Sequence, residues 1–153
     1  MKIAVAFDHR GVHLRQQVLE TLVLDGHDVV DLGTDTDEHR IDYPDKAREL
    51  GEALQREAAE RGVLVCGSGV GAAVAASKMR GIRAAICHDV YSAHQGVEHD
   101  DMNLLCLGSE VIGPSLARDL ISTFLAARFD GGERYVKRLK MIEDLERAGV
   151  AST

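Results

Sequence analysis

The chain has 153 residues, 45% of them hydrophobic and with no low-complexity stretch, which is enough apolar material for one core and predicts a single domain over 1–153. Eighteen Lys and Arg against 25 Asp and Glu leave a formal charge of −7. That excludes a global field for nucleic acid or acidic lipid, so an anionic ligand has to be held by a local cluster of cations. No apolar run is long enough to cross a bilayer, which excludes a helical membrane segment.

The chain opens directly on a β-rich run over 3–7, with no charged leader and no long apolar stretch, so no targeting segment is expected. This run ends in Asp8-His9-Arg10-Gly11, which sets an acid, an imidazole and a guanidinium at one strand end. Helical periodicity covers 12–24 and is closed by Gly26. A second strand over 29–32 leads into the longest irregular stretch, 33–42, a length often put to functional use. Tyr43 stands before Pro44, which opens a helix over 45–61 that Gly62 closes. A third strand over 63–66 runs into Cys66-Gly67-Ser68-Gly69-Val70-Gly71 and a small-residue helix over 70–79, closed by Gly81. A strand over 84–87 and a helix over 90–98 follow. The polar stretch His99-Asp100-Asp101-Met102-Asn103 then leads to a fifth strand over 104–107 and a helix over 114–128. After Gly131-Gly132, a charged helix over 134–147 carries Tyr135, Val136, Leu139, Ile142 and Leu145 along one side. No strand follows it, so this side is free to reach a second subunit.

Strands alternating with helices imply right-handed crossovers and an α/β fold, a Rossmann-like three-layer sandwich. Its centre is a five-stranded parallel sheet with flanking helices and a C-terminal helix. In such folds ligands bind at the carboxyl ends of the strands. Cys66, Cys87 and Cys106 each fall in or at the end of an apolar strand, where reduced thiols pack, and this points to a cytoplasmic protein without disulfides.

The turn after the third strand carries the chemistry. Its glycines let backbone N–H groups converge at a helix N-terminus, which suits an anion. The bland alternative is a tight turn that only packs strand on helix, and the spacing is GxGxG rather than GxGxxG. Cys66 at the mouth of the turn favours the functional reading, since amides at the start of a helix suit a working sulfur. A phosphatase-type cysteine loop is excluded, because Ala72 stands where the phosphate-clamping Arg is needed. His88, Asp89, His94, Glu98 and His99 match no familiar metal spacing, and an acidic amphipathic helix explains most of them, so no metal or cofactor is expected. Arg134 and Arg138 lie one helical turn apart on one face.

Taken together, the motifs resemble the type B ribose-5-phosphate isomerases and their allose-6-phosphate and galactose-6-phosphate relatives over residues 1–145. The resemblance rests on Asp8-His9-x-Gly11, Asp42-Tyr43-Pro44, the turn 66–71 and Gly81-Ile82-Arg83-Ala84-Ala85. Tyr91-Ser92-Ala93, His99, Asn103, Gly131-Gly132, Arg134 and Arg138 continue it. It implies a metal-free aldose–ketose isomerase, a homodimer or dimer of dimers whose active sites lie between subunits. On that resemblance His99 opens the furanose ring and Cys66 moves the carbon-bound proton. Ser68, with the amides of Gly67, Gly69, Val70 and Gly71, holds the developing oxyanion. Asp8 orients the reacting hydroxyls, His9, Arg134 and Arg138 bind the phosphate, and Tyr43, Asp100 and Asn103 line the pocket.

A second branch of the family uses a Glu after the glycine turn as base, but position 72 is Ala, so this chain resembles the cysteine branch. It departs from the pattern twice: Asp100 replaces an Asn, and Glu110 replaces an Arg that contacts phosphate, with Arg10 a candidate compensating cation. Ribose 5-phosphate is the expected substrate. A tetrose or hexose phosphate is the alternative within enzymes, and a non-catalytic sugar-phosphate sensor is the alternative outside them. Retention of both Cys66 and His99 favours catalysis.

Overall fold

The computed structural model describes residues 1–150; the last three residues of the expected domain lie outside the described residues. Five strands, β1 (Lys2–Phe7), β2 (Asp28–Asp31), β3 (Arg61–Cys66), β4 (Ala84–Ile86) and β5 (Leu104–Gly108), form one parallel sheet in the order β2-β1-β3-β5-β4. The helices are α1 (Arg15–Leu24), α2 (Tyr43–Gln55), α3 (Val70–Ala76), α4 (Val90–Asp100), α5 (Pro114–Ala126) and α6 (Glu133–Val150).

Strand alternation sends Ile3, Val5, Phe7, Val63, Val65, Leu105 and Leu107 to one face of the sheet, where Val18 and Leu22 of α1, Val97 of α4 and Leu120 and Phe124 of α5 cover them. The opposite face is built from smaller residues. Ala4, Ala6, Leu64, Cys66 and Cys106 meet Ala47, Leu50 and Ala53 of α2 and Ala72 and Ala76 of α3. These alanines let α2 and α3 lie close to the sheet and to each other, and this brings the start of both helices to the end of β3. The result is the expected Rossmann-like three-layer α/β fold.

The strand order reverses between β1 and β3, because the crossover from β1 leads outward to β2 and the next one returns across to β3. A crevice opens at the carboxyl ends on such a switch point. The residues leaving β1 and β3 are Asp8 and Gly67, in register through Phe7 opposite Val65.

Several predicted boundaries move. The first helix is split into a 3-10 turn at Gly11–Leu14 and α1. The second stops at Gln55 instead of residue 61, since Glu57 turns the chain with φ 57° and Arg61 opens β3. The last turn of α4 takes in His99 and Asp100, which the sequence placed in an irregular stretch.

Arg61 has a role that the helical reading hid. Its guanidinium lies over the ring of Phe124, 5.3 Å from the ring centre. It donates to the carbonyl oxygens of Phe124 (2.6 Å), Leu125 (3.5 Å) and Ala127 (3.0 Å). These carbonyls stand at the end of α5, where intrahelical donors run out and a cation is favoured by the helix dipole, and Arg128 also donates to those of Leu125 and Ala127. Arg61→Met keeps the apolar stem and removes the donors, so it should cost about 2 kcal/mol, the scale of a charge-assisted hydrogen-bond set partly open to water. Urea unfolding with an unchanged slope and a lowered midpoint checks this.

Candidate active site

At the carboxyl edge three loops are sewn together by their backbones. Asp8, only 4% exposed, accepts with Oδ1 from the amides of Arg10 (2.9 Å) and Gly11 (2.7 Å), which closes a tight turn directly after β1. The loop after β5 is tied to that after β3 by Ser109 N donating to the Cys66 carbonyl (2.9 Å) and Glu110 N donating to the Gly67 carbonyl (3.0 Å). Ser109 Oγ donates to the carbonyls of Arg10 (2.8 Å) and Cys66 (3.2 Å) and so joins all three loops.

Glycine is required where these loops touch. A Cβ on Gly11 would sit 2.0 Å from the Val65 carbonyl oxygen, and one on Gly108 2.6 Å from the Ser68 carbonyl group. Gly69 combines φ 81° with a close approach to Leu107. This geometry aims the Gly69 amide at Cys66, whose Sγ accepts it at 3.1 Å. Ser68 is exposed, and its Oγ accepts from Val70 N at 3.3 Å. The ring of Tyr43, at the start of α2, leans on Gly71, where a Cβ would come within 2.5 Å of it. Cys66, Ser68, Tyr43 and the glycine turn therefore adjoin one another at the carboxyl end of β3.

His9 follows Asp8 in the loop after β1, at the same edge of the sheet. Its Nδ1 lies 3.2 Å from both the amide nitrogen and the carbonyl oxygen of Ile41, so it accepts from the amide when bare and donates to the carbonyl when protonated. Arg10 lies across Gly67, and its guanidinium pairs with Glu110 at 3.1 Å, both side chains half exposed. The cation suggested as compensation for Glu110 is thus bound to Glu110 itself. His88, which follows β4, accepts the Gly108 amide on Nε2 at 3.0 Å, a support that sequence reasoning missed because it weighed His88 only as a metal ligand. Among the described residues no group of three or more His, Cys, Asp or Glu is placed to hold a metal ion.

The remaining predicted residues lie at the other end of the sheet. Because α4 runs back against the strands, His99 and Asp100 in its last turn sit at the amino edge, beside the start of β5. Cys66 pairs with Gly108 at the far end of β5, roughly 13 Å or more away for a five-residue strand. His99 stacks on Tyr135, ring centres 4.4 Å apart, and its Nε2 lies 3.1 Å from the Tyr135 hydroxyl. Arg134 covers the Tyr135 ring at 4.5 Å and donates to its hydroxyl. Arg138 is exposed one turn further along α6. Asn103 uses its amide on the backbone, accepting from Arg83 N (2.8 Å) and donating to the Gly81 carbonyl (2.8 Å), so it shapes the start of β5. Within one chain the predicted residues therefore fall into two groups, one at each edge of the sheet, and Tyr135, a core-type aromatic in the sequence, lies in the second.

A model of the family described as Ribose/Galactose Isomerase matches residues 3–142. Ribose-5-phosphate isomerase B of Escherichia coli is 39% identical over 146 residues, 95% of this chain and 97% of that protein. D-erythrulose-4-phosphate isomerase of Pectobacterium atrosepticum is 37% identical over 132 residues, 86% of this chain and 87% of its own length. The solved structure of Clostridium thermocellum ribose-5-phosphate isomerase B matches with a TM-score of 0.93 at 40% identity, over 97% of this chain and 99% of that one.

Burial holds the His88 imidazole below its ordinary range, and His27, whose Nδ1 is buried without a partner, is lowered by burial and by the N-terminal amine. The unfolded chain then binds more protons than the folded one below about pH 6.5. Stability should be full above that pH and fall as pH drops through the lowered folded values. His88→Gln, which offers a non-titrating acceptor to Gly108, should flatten part of this slope in thermal melts between about pH 7 and 5.

Proposed function

The chain belongs to the ribose/galactose isomerase family as an aldose–ketose isomerase of sugar phosphates, and from that premise we propose that it converts ribose 5-phosphate to ribulose 5-phosphate with Cys66 as the base. The observation that carries this is the position of Cys66, at the mouth of a glycine turn on the switch point between β1 and β3. The turn's own Gly69 amide already addresses its sulfur. Isomerisation removes a proton from the carbon beside the carbonyl and returns it to the neighbouring carbon through an enediolate. Cys66 Sγ takes and returns that proton. Ser68 and the amides of Gly67, Gly69, Val70 and Gly71 stabilise the enediolate oxygen, and their value lies in being fixed before charge develops. Asp8, with Oδ1 committed to its loop, addresses the sugar hydroxyls through Oδ2.

The working site takes its second half from another copy of the chain, in a homodimer or a dimer of dimers. His99 then opens the furanose, and Arg134 and Arg138 join His9 on the phosphate. Support comes from the distance between the half-sites within one chain. The side chains of Val136, Ile142 and Leu145 on α6 add to it, being 49%, 43% and 75% exposed and free to pack on a partner. The three cysteines are free and buried, and no helix among the described residues is long and apolar enough to cross a membrane. Both fit a cytoplasmic enzyme.

A four-carbon sugar phosphate is the second reading. It is favoured by the similarity to the Pectobacterium enzyme and by the carboxylates at Asp100 and Glu110. Coupled assays across four-, five- and six-carbon sugar phosphates should give the highest kcat/KM for ribose 5-phosphate. A preference of more than about tenfold, roughly 1.4 kcal/mol, for another sugar would replace that assignment.

Cys66→Ala should lower turnover by at least about a thousandfold while ribose 5-phosphate still binds, because it removes the base and little of the core. The shared site is checked by unfolding and refolding Cys66→Ala and His99→Ala chains together. Each mixed dimer contains one intact site, so a one-to-one mixture should recover about a quarter of wild-type activity. No recovery would place both residues in one chain's site.

A further inference from the structure

Gly108 is the residue of β5 that presses on the glycine turn, and its amide needs a partner that the sheet does not supply. Along β5 the amides alternate in direction. Leu104 N donates toward β4, to the Arg83 carbonyl at 3.3 Å, and Ser109 N donates toward β3, to the Cys66 carbonyl at 2.9 Å. Gly108 has the parity of Leu104 and faces the β4 side, but β4 ends at Ile86, opposite Cys106. Two residues further along, the His88 side chain takes the place of the missing strand carbonyl, and its Nε2 accepts the Gly108 amide at 3.0 Å. The chain just past His88 is fixed, because Asp89 caps α4 by accepting Ser92 N at 2.7 Å. Burial holds the imidazole below its ordinary range, so at about pH 7 the ring is neutral and, with its proton on Nδ1, is able to accept on Nε2.

Gly108 passes that support to the turn. It lies so close to Ser68 that an added Cβ would stand 2.6 Å from both the carbon and the oxygen of the Ser68 carbonyl. The next two residues, Ser109 and Glu110, donate their amides to the carbonyls of Cys66 and Gly67. Gly69, one residue past Ser68, directs its amide at the Cys66 sulfur. We propose that His88 is a positioning residue for the isomerisation: by holding the Gly108 amide it keeps β5 pressed on Ser68, and so keeps the amides of the turn aimed at Cys66 and at the enediolate oxygen. This rests on the roles given above to Cys66 and the turn. His88 needs no contact with the sugar. Its contribution falls on kcat, because fixed dipoles matter most once charge develops, whereas the phosphate that anchors the ground state is held by other residues.

The experiment compares His88→Leu, which leaves the Gly108 amide unpaired, with His88→Gln, whose side-chain oxygen can accept it. In His88→Leu, kcat for ribose 5-phosphate should fall roughly tenfold with KM within about twofold, and His88→Gln should recover most of that loss. Amide hydrogen exchange of the whole protein, read by mass spectrometry, separates positioning from general loosening. Exchange in the peptide that holds residues 67–71 should quicken by about tenfold in His88→Leu and return toward wild type in His88→Gln, with α1 unchanged in both. Unchanged kcat in His88→Leu, or equal losses in the two variants, overturns the proposal. So does exchange that quickens throughout the chain with nothing particular to the turn. A Cys66→Ala chain that keeps its turnover faults the role given to Cys66 and not that of His88, because the exchange at the turn is read without any turnover.

Discussion

The carboxyl edge depends on backbone packing closer than side chains permit. Gly108 lies against Ser68 and Gly11 against the Val65 carbonyl, and at both places a single added methyl would overlap main-chain atoms that cannot swing aside. Because the loops after β1, β3 and β5 are pressed together in this way, their amides and carbonyls pair with one another, and Asp8 and Ser109 complete the pairing from their side chains. The glycine turn is rigid for the same reason. The reaction proposed above develops negative charge beside Cys66 and would gain most from dipoles that need no reorganisation, so on that proposal the contact that fixes the fold at this edge also prepares the chemistry.

The direction of the helices imposes the opposite result on His99. In a parallel sheet every crossover helix returns from the carboxyl edge to the amino edge, so a residue in its last turn is carried away from the strand ends by the length of a strand. No local adjustment of α4 brings His99 to Cys66. A second copy can do so if it presents its amino-edge half-site to the carboxyl-edge half-site of the first, and twofold symmetry then builds both sites at once. The exposed apolar side chains of α6 have a physical reason under this arrangement and none in a lone chain.

The fold was legible because strands 3–7, 63–66 and 104–107 are continuous apolar runs, buried on both faces, and because Gly26 and Gly81 follow the ends of helices. The crevice around Cys66 was legible for a related reason: it is built from residues contiguous with strand ends. Features made by contacts across the chain were not. Arg61 read as helical because its neighbours up to residue 55 are, and nothing local marks the carbonyls of α5 that it caps. Tyr135 read as one member of an apolar stripe, since a phenol that supports a histidine 36 residues earlier leaves no periodic signal. Asn103, which the resemblance places in the pocket, has its amide engaged by the backbone of Gly81 and Arg83, a pairing that nothing local marks.

Charge at the mouth of the crevice follows from the same cross-chain contacts. With a formal charge of −7 the chain as a whole repels a dianionic ester, so binding depends on which cations are uncommitted. Arg10 is paired with Glu110, and this couple presents little net charge above Gly67. The group around Cys66 therefore presents amides, hydroxyls and His9 more than formal positive charge, whereas α6 carries Arg134 and Arg138. A sugar phosphate with its reacting carbons at Cys66 and its phosphate toward α6 satisfies both. Under the shared site proposed above, such a division would make the remote phosphate useful to the chemistry, because its attraction to one subunit would hold the sugar in register against Cys66 of the other.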